Sequence, residues 1–407
     1  MLSEHKGSLI SIASIPLIMT LGNSMLIPVL PAIRHQLQIT SFQVSLLITV
    51  YSAVAILLIP IAGYLSDRFG RKKIIIPSLL ITGIGGLISG LGAWWLAHPY
   101  SVILIGRALQ GVGAAGAFPI VLPLVGDIFK KESDVSKSLG VVETANTLGK
   151  VLSPILGSLL AYVIWFLPFL TIPLLCVIST LLVAFLVKTP AKQDKQAKKV
   201  TFGNFIQQLK LIFKQNGRWL LGIFAIGCIC MFVIFGTLFY LSDTLEEKYH
   251  IDGIWKGFVI AIPSAALCLA SFLIGRKIGQ NKSLMKWITF SGIVLVTGSI
   301  VWTGLLKDPS IYWLITLISL AGIGIGVTLP CLDALITEGI AKEERGTITS
   351  IYSSMRFIGV AVGPPLASVL VKSSAHLMFY CISGTCVLAA LLALFAIKPT
   401  RDEGHAS

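Results

Sequence analysis

Twelve apolar runs, each long enough to cross a lipid bilayer as a helix, account for most of this sequence. The hydrocarbon core of a bilayer is about 30 Å thick, so a helix that spans it needs roughly 20 apolar residues. The runs lie at residues 8–30, 43–65, 74–97, 100–127, 137–162, 164–188, 218–243, 254–279, 284–305, 311–337, 346–370 and 374–398. They lack the short alternation of polar and apolar residues that is typical of membrane β-barrels. The sequence therefore predicts an all-α membrane protein with twelve transmembrane helices.

The positive charges predict which side of the membrane each loop faces. Charged residues make up 12% of the chain, which is low for a soluble domain, and the formal net charge is +14. If the N-terminus is inside, 24 of the 32 lysines and arginines fall on inner segments and 5 on outer ones. Cytoplasmic loops carry such an excess. We therefore expect a multi-pass protein of the cell membrane with both termini in the cytoplasm, and no nucleic-acid partner.

A polar, basic segment separates the sixth run from the seventh. It begins KTPAKQDKQAKKV and continues into TFGNFIQQLKLIFKQNG, whose apolar residues recur at intervals of three and four against Lys210 and Lys214. This spacing predicts an amphipathic helix on the inner membrane surface. The segment divides the chain into a six-helix bundle at residues 1–188, a cytoplasmic linker at 189–217, and a second six-helix bundle with a short tail at 218–407.

The two halves resemble each other when one is shifted by 210 or 211 residues. The shift places small residues, a proline and an acid of the first half on similar residues of the second. It superposes Gly111, Gly113, Pro119, Asp127 and Gly149 on Gly322, Gly324, Pro330, Glu338 and Gly359. Duplicated halves are typical of transporters, which bind their substrate near mid-membrane between the halves. The sequence thus predicts two six-helix pseudo-repeats around a central site.

A compact charged loop, GYLSDRFGRKK at residues 63–73, follows the second run. It resembles the G-x-L-x-D-R-x-G-R-[RK] signature of the major facilitator superfamily, which lies at the same place after the second span. Gly70 permits a tight turn, and Asp67 can pair with a neighbouring arginine or a helix N-terminus. The resemblance implies a cytoplasmic gate that latches the two halves in the outward-facing state. The gate residues are Gly63, Asp67, Arg68, Gly70 and Arg71.

Three further motifs resemble those of the drug/proton antiporters of this superfamily. They are LGNSMLIPVLP in span one, IGRALQGVGAAGA in span four and GKVLSPILGS in span five. Pro28 and Pro31 are expected to break span one toward its outer side. The small residues of the motifs and of their repeats are expected to bring helices close together. The predicted helix-packing residues are Gln110, Gly111, Gly149, Pro154, Gly157, Gly359 and Gly363.

Ionisable residues inside the spans are costly unless they face protein or water, so each indicates a function. On span five, Glu143, Asn146 and Lys150 lie within about 60° of helix face and form one polar stripe. We expect this stripe to face the cavity and to bind substrate or protons, although a buried ion pair that holds spans together is the alternative. Arg356, on span eleven, falls opposite Asn146 in the repeat and is predicted to be a counter-charge to Glu143 or an anion site.

Proton coupling needs a carboxylate whose affinity for protons changes with its surroundings. Many drug/proton antiporters place an acid in span one, whereas this chain has Asn23 there. We therefore hypothesise that Glu143 carries the proton, with Arg107 and Lys150 tuning it. The resemblance implies that Arg107 belongs to the coupling machinery, and the alternative is a structural arginine bonded to backbone carbonyls. Asp333 is either a second proton carrier or a solvated charge near the end of span ten.

Aromatic residues of spans two and seven suit large amphipathic substrates, although such residues also face lipid or pack between helices. The buried lysine and arginines equally suit an anionic metabolite or siderophore. The residues predicted to line the substrate cavity are Asn23, Tyr51, Asn146, Lys150, Phe232, Phe235, Tyr352 and Arg356.

The sequence as a whole predicts a proton-driven exporter of amphipathic drugs or small metabolites that works by alternating access. The alternatives are an exporter of an anionic metabolite or siderophore and a proton-coupled importer. A membrane sensor would need an added soluble domain, and an enzyme would need a metal set, a phosphate loop or a nucleophile with its base; the sequence contains none of these. We expect no cofactor and no metal. The expected partners are a small-molecule substrate, protons and the lipid bilayer, and the chain is expected to be a monomer.

Overall fold

The computed structural model describes residues 6–129, 132–187, 202–277, 281–340 and 342–397. Within these ranges the side chains at 132–133, 136–137, 202–213, 215–216, 277, 337–338 and 342–345 are not described. The described chain is almost entirely helical and contains no strand. The end of the helix bundle at which the first helix begins is called the inner end, and the opposite end is called the outer end.

The described part of the first half contains eight α-helices, and that of the second half contains six. In the first half they are α1 (Lys6–Ser24), α2 (Leu30–Leu37), α3 (Ser41–Phe69), α4 (Arg71–Trp95), α5 (Tyr100–Ala117), α6 (Val121–Ile128), α7 (Glu132–Val163) and α8 (Leu167–Leu186). In the second half they are α9 (Phe202–Glu247), α10 (Gly253–Lys277), α11 (Lys282–Leu305), α12 (Ile311–Gly339), α13 (Lys342–Ser373) and α14 (Ala375–Phe395).

Span one is broken near its outer end, as its prolines predict. α1 ends at Ser24, a short 3-10 turn covers Ile27–Val29, and α2 begins at Leu30. Pro31 has no N–H to donate to the carbonyl of Ile27, four residues earlier, so a continuous α-helix would leave that carbonyl without its donor. The Ile27 carbonyl accepts the Leu30 N–H within the turn and a hydrogen bond from Ser242 Oγ of α9 at 3.0 Å. The break thereby joins the first half of the protein to the second.

Among the described residues, eleven helical segments are long and apolar enough to cross a membrane. They correspond to eleven of the twelve predicted spans, with α1 and α2 together forming span one and α5 and α6 together forming span four. The remaining span is α7, which is 32 residues long and carries the polar stripe with Glu143, Asn146 and Lys150. The prediction of an all-α membrane protein is confirmed.

The described part of the segment between the halves is not the separate surface helix that the sequence predicts. α9 begins at Phe202 and runs without a break for 46 residues to Glu247. The predicted amphipathic segment is therefore continuous with span seven. Residues 188–201 lie outside the described part of the chain, so the linker boundaries stay a prediction.

The helix neighbours repeat between the two halves. In the first half α1 packs on α7, α3 on α5, and α4 on both α5 and α8. In the second half the equivalent helices make the same pairs: α9 with α13, α10 with α12, and α11 with both α12 and α14. The arrangement is consistent with the two predicted six-helix pseudo-repeats.

The most extensive contacts between the halves are made by two helix pairs, α3 with α13 and α7 with α10. These four helices are related by the same repeat. Small residues lie where they meet: a Cβ at Gly63 of α3 would be 3.2 Å from Ser350 Oγ of α13, and one at Gly257 of α10 would be 2.5 Å from the Pro154 carbonyl of α7. The halves therefore pack closely at positions without bulky side chains, around a central space.

The glycines predicted to pack helices do lie against neighbouring backbone. A Cβ at Gly149 would be 3.1 Å from the Leu17 carbonyl, and one at Gly363 would be 2.9 Å from the Phe232 carbonyl. Carbonyl groups of neighbouring helices also adjoin Gly111, Gly157 and Gly359. Helices without a side chain at these points approach each other closely, which is the main source of helix association in lipid.

Candidate functional site

A cavity lies at mid-membrane between the two halves. It is lined by residues of spans one, two, four and five on one side and of spans seven and eleven on the other. The lining residues are Met19, Thr20, Asn23, Ser24, Tyr51, Phe118, Asn146, Lys150, Met231, Phe235, Ser353, Arg356, Phe357 and Val360. Its mixture of apolar walls with few polar groups is typical of small-molecule sites.

Six of the eight residues predicted for the substrate cavity line this space, and two do not. The six are Asn23, Tyr51, Asn146, Lys150, Phe235 and Arg356. Phe232 is buried where the backbone of α9 packs on Gly359 and Gly363, so its side chain belongs to the core of the second half. The Tyr352 ring stacks on Phe224 with a centroid distance of 5.9 Å and fills the space between α9 and α13.

Several lining residues were not singled out from the sequence. On α13, Ser353, Arg356, Phe357 and Val360 are spaced by three and four residues and share one helix face. Extending the helical period from Arg356 identifies this face. Met19 and Thr20 likewise share a face of α1 with Asn23. Residues of these types are common on every face of a membrane span, so the sequence does not indicate that they line a cavity.

The charges of the cavity wall are all positive. Lys150 of α7 and Arg356 of α13 line it from opposite halves, and none of the described lining residues carries a carboxylate. Lys150 makes no hydrogen bond or ion pair within the described part of the chain. A cation in a membrane interior is costly without a partner. The wall is therefore suited to an anion that contacts both halves.

Arg107 lies one layer behind this wall and is completely buried. Its Nε donates to the Leu47 carbonyl at 2.8 Å, its Nη1 to Gln110 Oε1 at 2.6 Å and to the Gly22 carbonyl at 3.4 Å. Its Nη2 donates to Asn23 Oδ1 at 2.6 Å. All four acceptors are uncharged, which matches the structural alternative for this arginine.

The guanidinium of Arg107 also holds the aromatic wall of the cavity. Its central carbon lies 4.5 Å from the centroid of the Tyr51 ring, a distance at which the ring attracts a cation. Asn23 and Tyr51 both line the cavity. Arg107 thus fixes the positions of two wall residues on α1 and α3 while remaining out of reach of the cavity itself.

Glu143 lies beside the wall, behind Asn146. The amide nitrogen of Asn146 donates to both carboxylate oxygens of Glu143 at 3.3 Å, and the amide oxygen accepts from Thr20 Oγ1 at 2.6 Å. Thr20 and Asn146 line the cavity, whereas Glu143 does not. Two members of the predicted polar stripe, Asn146 and Glu143, are therefore joined by hydrogen bonds, and this chain ends at a half-buried carboxylate.

Asp333 lies beside the wall in the second half. Its Oδ1 is 3.6 Å from Nη1 of Arg356, and its side chain retains 38% of its exposed surface while that of Arg356 retains 16%. The structure thus brings Asp333 and Arg356 together across α12 and α13. Glu143 and Asp333 each act electrostatically on Lys150, so two cations and two carboxylates form one cluster at the inner side of the cavity.

The gate loop is held by ion pairs within the first half. Arg71 Nη1 lies 2.5 Å from Asp67 Oδ1, and Arg71 Nε lies 3.3 Å from Asp127 Oδ2. Gly70 has φ 103°, a value that favours glycine. The described pairs of the loop join α3, α4 and α6, and the pairing of Asp67 with a neighbouring arginine is confirmed.

A second cavity lies at the inner end beside this loop. Its lining includes Gly63, Asp67 and Arg71 of the first half and Thr347 and Ser350 of the second. The loop therefore lies against the other half of the protein. Its role as a latch of the outward-facing state stays a prediction, and so does that of Arg68, whose side chain is exposed in the same loop.

At the outer end, ion pairs connect the two halves directly. Arg34 of α2 lies 2.9 Å from Asp243 Oδ1 and pairs also with Glu247, both near the end of α9. The Arg34 side chain is 11% exposed, so these pairs are more shielded from water than ordinary surface pairs. Together with the Ser242 bond to the broken span one, they close the outer end.

We expect Arg34→Gln to favour opening of the outer end by about two- to fivefold, since exposed or partly exposed pairs contribute up to about 1 kcal/mol each. The measurement is the rate at which an impermeant maleimide reaches Ser24→Cys from outside whole cells, with the seven native cysteines replaced. Lys248→Gln is the matched control, because its partner Asp308 lies in the same half. Equal labelling rates in the parent and in Arg34→Gln would refute the role of Arg34.

Comparisons with known proteins agree with this architecture. The chain is 54% identical over 398 residues to a Bacillus subtilis (strain 168) protein named Bacillibactin exporter, which covers 97% of this chain and 98% of that protein. It is 26% identical over 388 residues to Multidrug resistance protein 2 of the same organism, covering 93% and 92%. The solved structure of the human organic anion transporter MFSD10 (TETRAN) superposes with a TM-score of 0.76 at 17% identity, covering 96% of this chain and 99% of that one.

The family model of the Major Facilitator Superfamily matches residues 12–364 and 286–407, nearly the whole chain. The structure of this chain agrees with that match in its twelve spans, its paired halves and its loop at residues 63–73. Members of this family are transporters. The many apolar helices of this chain make it a multi-pass membrane protein. The chain belongs to the major facilitator superfamily.

Proposed function

We propose that this protein exports an anionic siderophore, bacillibactin or a compound of closely similar chemistry, across the cell membrane. The observation that carries the proposal is the charge of the cavity wall, on which Lys150 and Arg356 face each other without a carboxylate among the described lining residues. The 54% identity to a protein named Bacillibactin exporter supports the same substrate. Both termini are expected to lie in the cytoplasm, as the positive-inside rule predicts.

The apolar part of the wall suits a substrate with flat, partly aromatic groups. Tyr51, Phe118, Phe235 and Phe357 line the cavity around the two cations, and aromatic side chains pack favourably on other rings. A siderophore that carries both negative charge and ring surface therefore meets complementary groups on every side. Charge-assisted bonds orient such a ligand, since they are roughly twice as strong as neutral ones.

Export of amphipathic drugs is the second candidate function. It is favoured by the same aromatic side chains and by the 26% identity to Multidrug resistance protein 2. A cationic drug, however, would meet Lys150 and Arg356 without a carboxylate on the described wall, and like charges repel strongly in a low dielectric. We therefore place this function second.

Exchange in proteoliposomes tests the proposal. Vesicles preloaded with unlabelled iron-free bacillibactin should take up the radiolabelled compound faster than protein-free vesicles do, without any imposed gradient. A tenfold excess of ethidium, a cationic drug, should leave the rate unchanged. Absence of bacillibactin exchange together with uptake of ethidium would reject siderophore export in favour of drug export.

The sequence predicts proton-driven antiport, with Glu143 as carrier, Arg107 and Lys150 tuning it, and Asp333 as a second proton carrier or a solvated charge. The geometry supports a part for the two acids, because Asp333 lies 3.6 Å from Arg356 and Glu143 accepts hydrogen bonds from Asn146 of the cavity wall. It gives Arg107 a positioning role instead, since its four acceptors are uncharged. The driving force of transport depends on how protons and substrate affect each other's binding.

A further inference from the structure

One of the two cations of the cavity has a carboxylate on the side away from the substrate space. Arg356 faces the cavity and lies 3.6 Å from Asp333, which does not line it. Lys150 faces the cavity from the other half, and Glu143 lies seven residues earlier on α7, behind Asn146. Asp333 therefore competes with an incoming anion for Arg356.

The surroundings of this cluster come from several helices. Asp333 of α12 is faced by Arg356 and Tyr352 from α13 and by Glu143 and Lys150 from α7. Lys150 is faced in addition by Cys268 of α10. Further cationic potential comes from Arg107, which lies behind the opposite wall and has uncharged acceptors. An anion at the centre of the cavity is thus the natural counter-charge of the site.

The sign of the coupling between an anion and a proton follows from this layout. An anion that binds Arg356 draws it from Asp333, and a carboxylate that loses its cation binds a proton more readily. By reciprocity, a proton on Asp333 frees Arg356 and strengthens anion binding by the same factor. Anion and proton therefore bind together, whereas antiport requires that each exclude the other.

We infer that the membrane potential drives export by this protein and that any proton moved accompanies the anion instead of exchanging for it. The inference rests on the proposed export of an anionic siderophore. The inside-negative potential of a living cell pushes an anion outward, and each unit of net charge moved corresponds to a concentration ratio of roughly 50-fold at 100 mV. Net negative charge leaves the cell whenever the anion carries more charges than the protons that bind with it.

The test uses the wild-type protein in proteoliposomes and radiolabelled iron-free bacillibactin. Valinomycin with a potassium gradient imposes an inside-positive potential at equal pH in the first arm. In two further arms the potential is held at zero with equal potassium, and the vesicle interior or the outer medium is made acidic. Because each arm drives substrate into the vesicle by a different force, the orientation of the protein in the bilayer does not affect the reading.

The inference predicts accumulation with the inside-positive potential and faster uptake with an acidic outer medium. Proton antiport predicts accumulation with an acidic interior. Accumulation in that arm, or no response to the potential while gradient-free exchange proceeds, would overturn the inference and leave the proposed function standing. No exchange of bacillibactin under any condition would overturn the proposed function, and the inference with it.

A variant identifies the carboxylate involved. Asp333→Asn removes the carboxylate beside Arg356, so the stimulation of uptake by outer acidity should fall at least twofold. Asp308→Asn is the matched control, because Asp308 lies in an outer loop beside Lys248 and away from the cavity. Full acid stimulation in Asp333→Asn would contradict the coupling through this pair.

Discussion

Lys150→Met is expected to weaken the binding of the anionic substrate by roughly 10- to 100-fold while leaving the melting temperature unchanged or higher. A hydrogen bond to a charged group contributes about 1.5–3 kcal/mol, and that contribution is lost with the ammonium group. Stability should not fall, because Lys150 makes no ion pair within the described part of the chain, and a methionine of similar length costs less to keep from water. Binding is measured by bacillibactin exchange, and folding by thermal unfolding in detergent.

Two further variants make this result specific. Lys150→Arg keeps the charge and should retain binding to within about tenfold, because arginine pairs with anions as well but reaches further. Lys372→Met removes an exposed charge at the end of α13 and should change neither quantity. If Lys150→Met instead lowers the melting temperature and leaves binding unchanged, Lys150 is part of a structural ion pair, the alternative that its sequence position also allowed.

Arg107→Met should cost about 3–5 kcal/mol of folding free energy and abolish transport. The substitution removes the guanidinium donors to four buried oxygens on α1, α3 and α5, two of them side-chain amide oxygens, and a buried acceptor left without a partner costs about 1–3 kcal/mol. Arg107→Lys should fail as well, since one ammonium cannot reach acceptors in so many directions. The measurement is thermal unfolding in detergent with and without substrate.

The control for this prediction is Arg276→Met. Arg276 is exposed and lies over the Phe272 ring of α10, so its loss should change the unfolding free energy by no more than about 0.5 kcal/mol. An unchanged melting temperature in Arg107→Met would show that the guanidinium does not tie the three helices together. A stable Arg107→Met protein without transport would instead assign Arg107 to the coupling machinery, as the family resemblance implied.

The fold was predictable because lipid imposes a length and a composition on every spanning helix. The break in span one was predictable too, since Pro28 and Pro31 remove donors at known places. The full extent of α9 was not, because the polar residues before Gly217 resemble a surface segment and nothing in the sequence shows that the helix continues. Whether such a segment joins the next span as one helix depends on its contacts in the folded protein.

The site was predictable where charge identified a helix face, as for Lys150 and Arg356. The sequence did not pair Arg356 with Asp333, because they lie on different helices and their distance depends on how α12 packs beside α13. Phe232 and Tyr352 were assigned to the cavity because aromatic residues on either face of a span look alike. The difference between lining a cavity and filling a helix interface is a matter of rotation by about one residue, or 100°.

The cavity wall, which is built by both halves, also indicates which compounds would inhibit this transporter. A rigid hydrophobic anion too large for this space would still contact Lys150, Arg356 and the aromatic rings, yet it would keep the halves from coming together around it. The groups that select the proposed substrate would then hold an inhibitor in place. For the proposed export of a siderophore, the inhibitor to make first is a bulky analogue of that siderophore and not a drug-like cation.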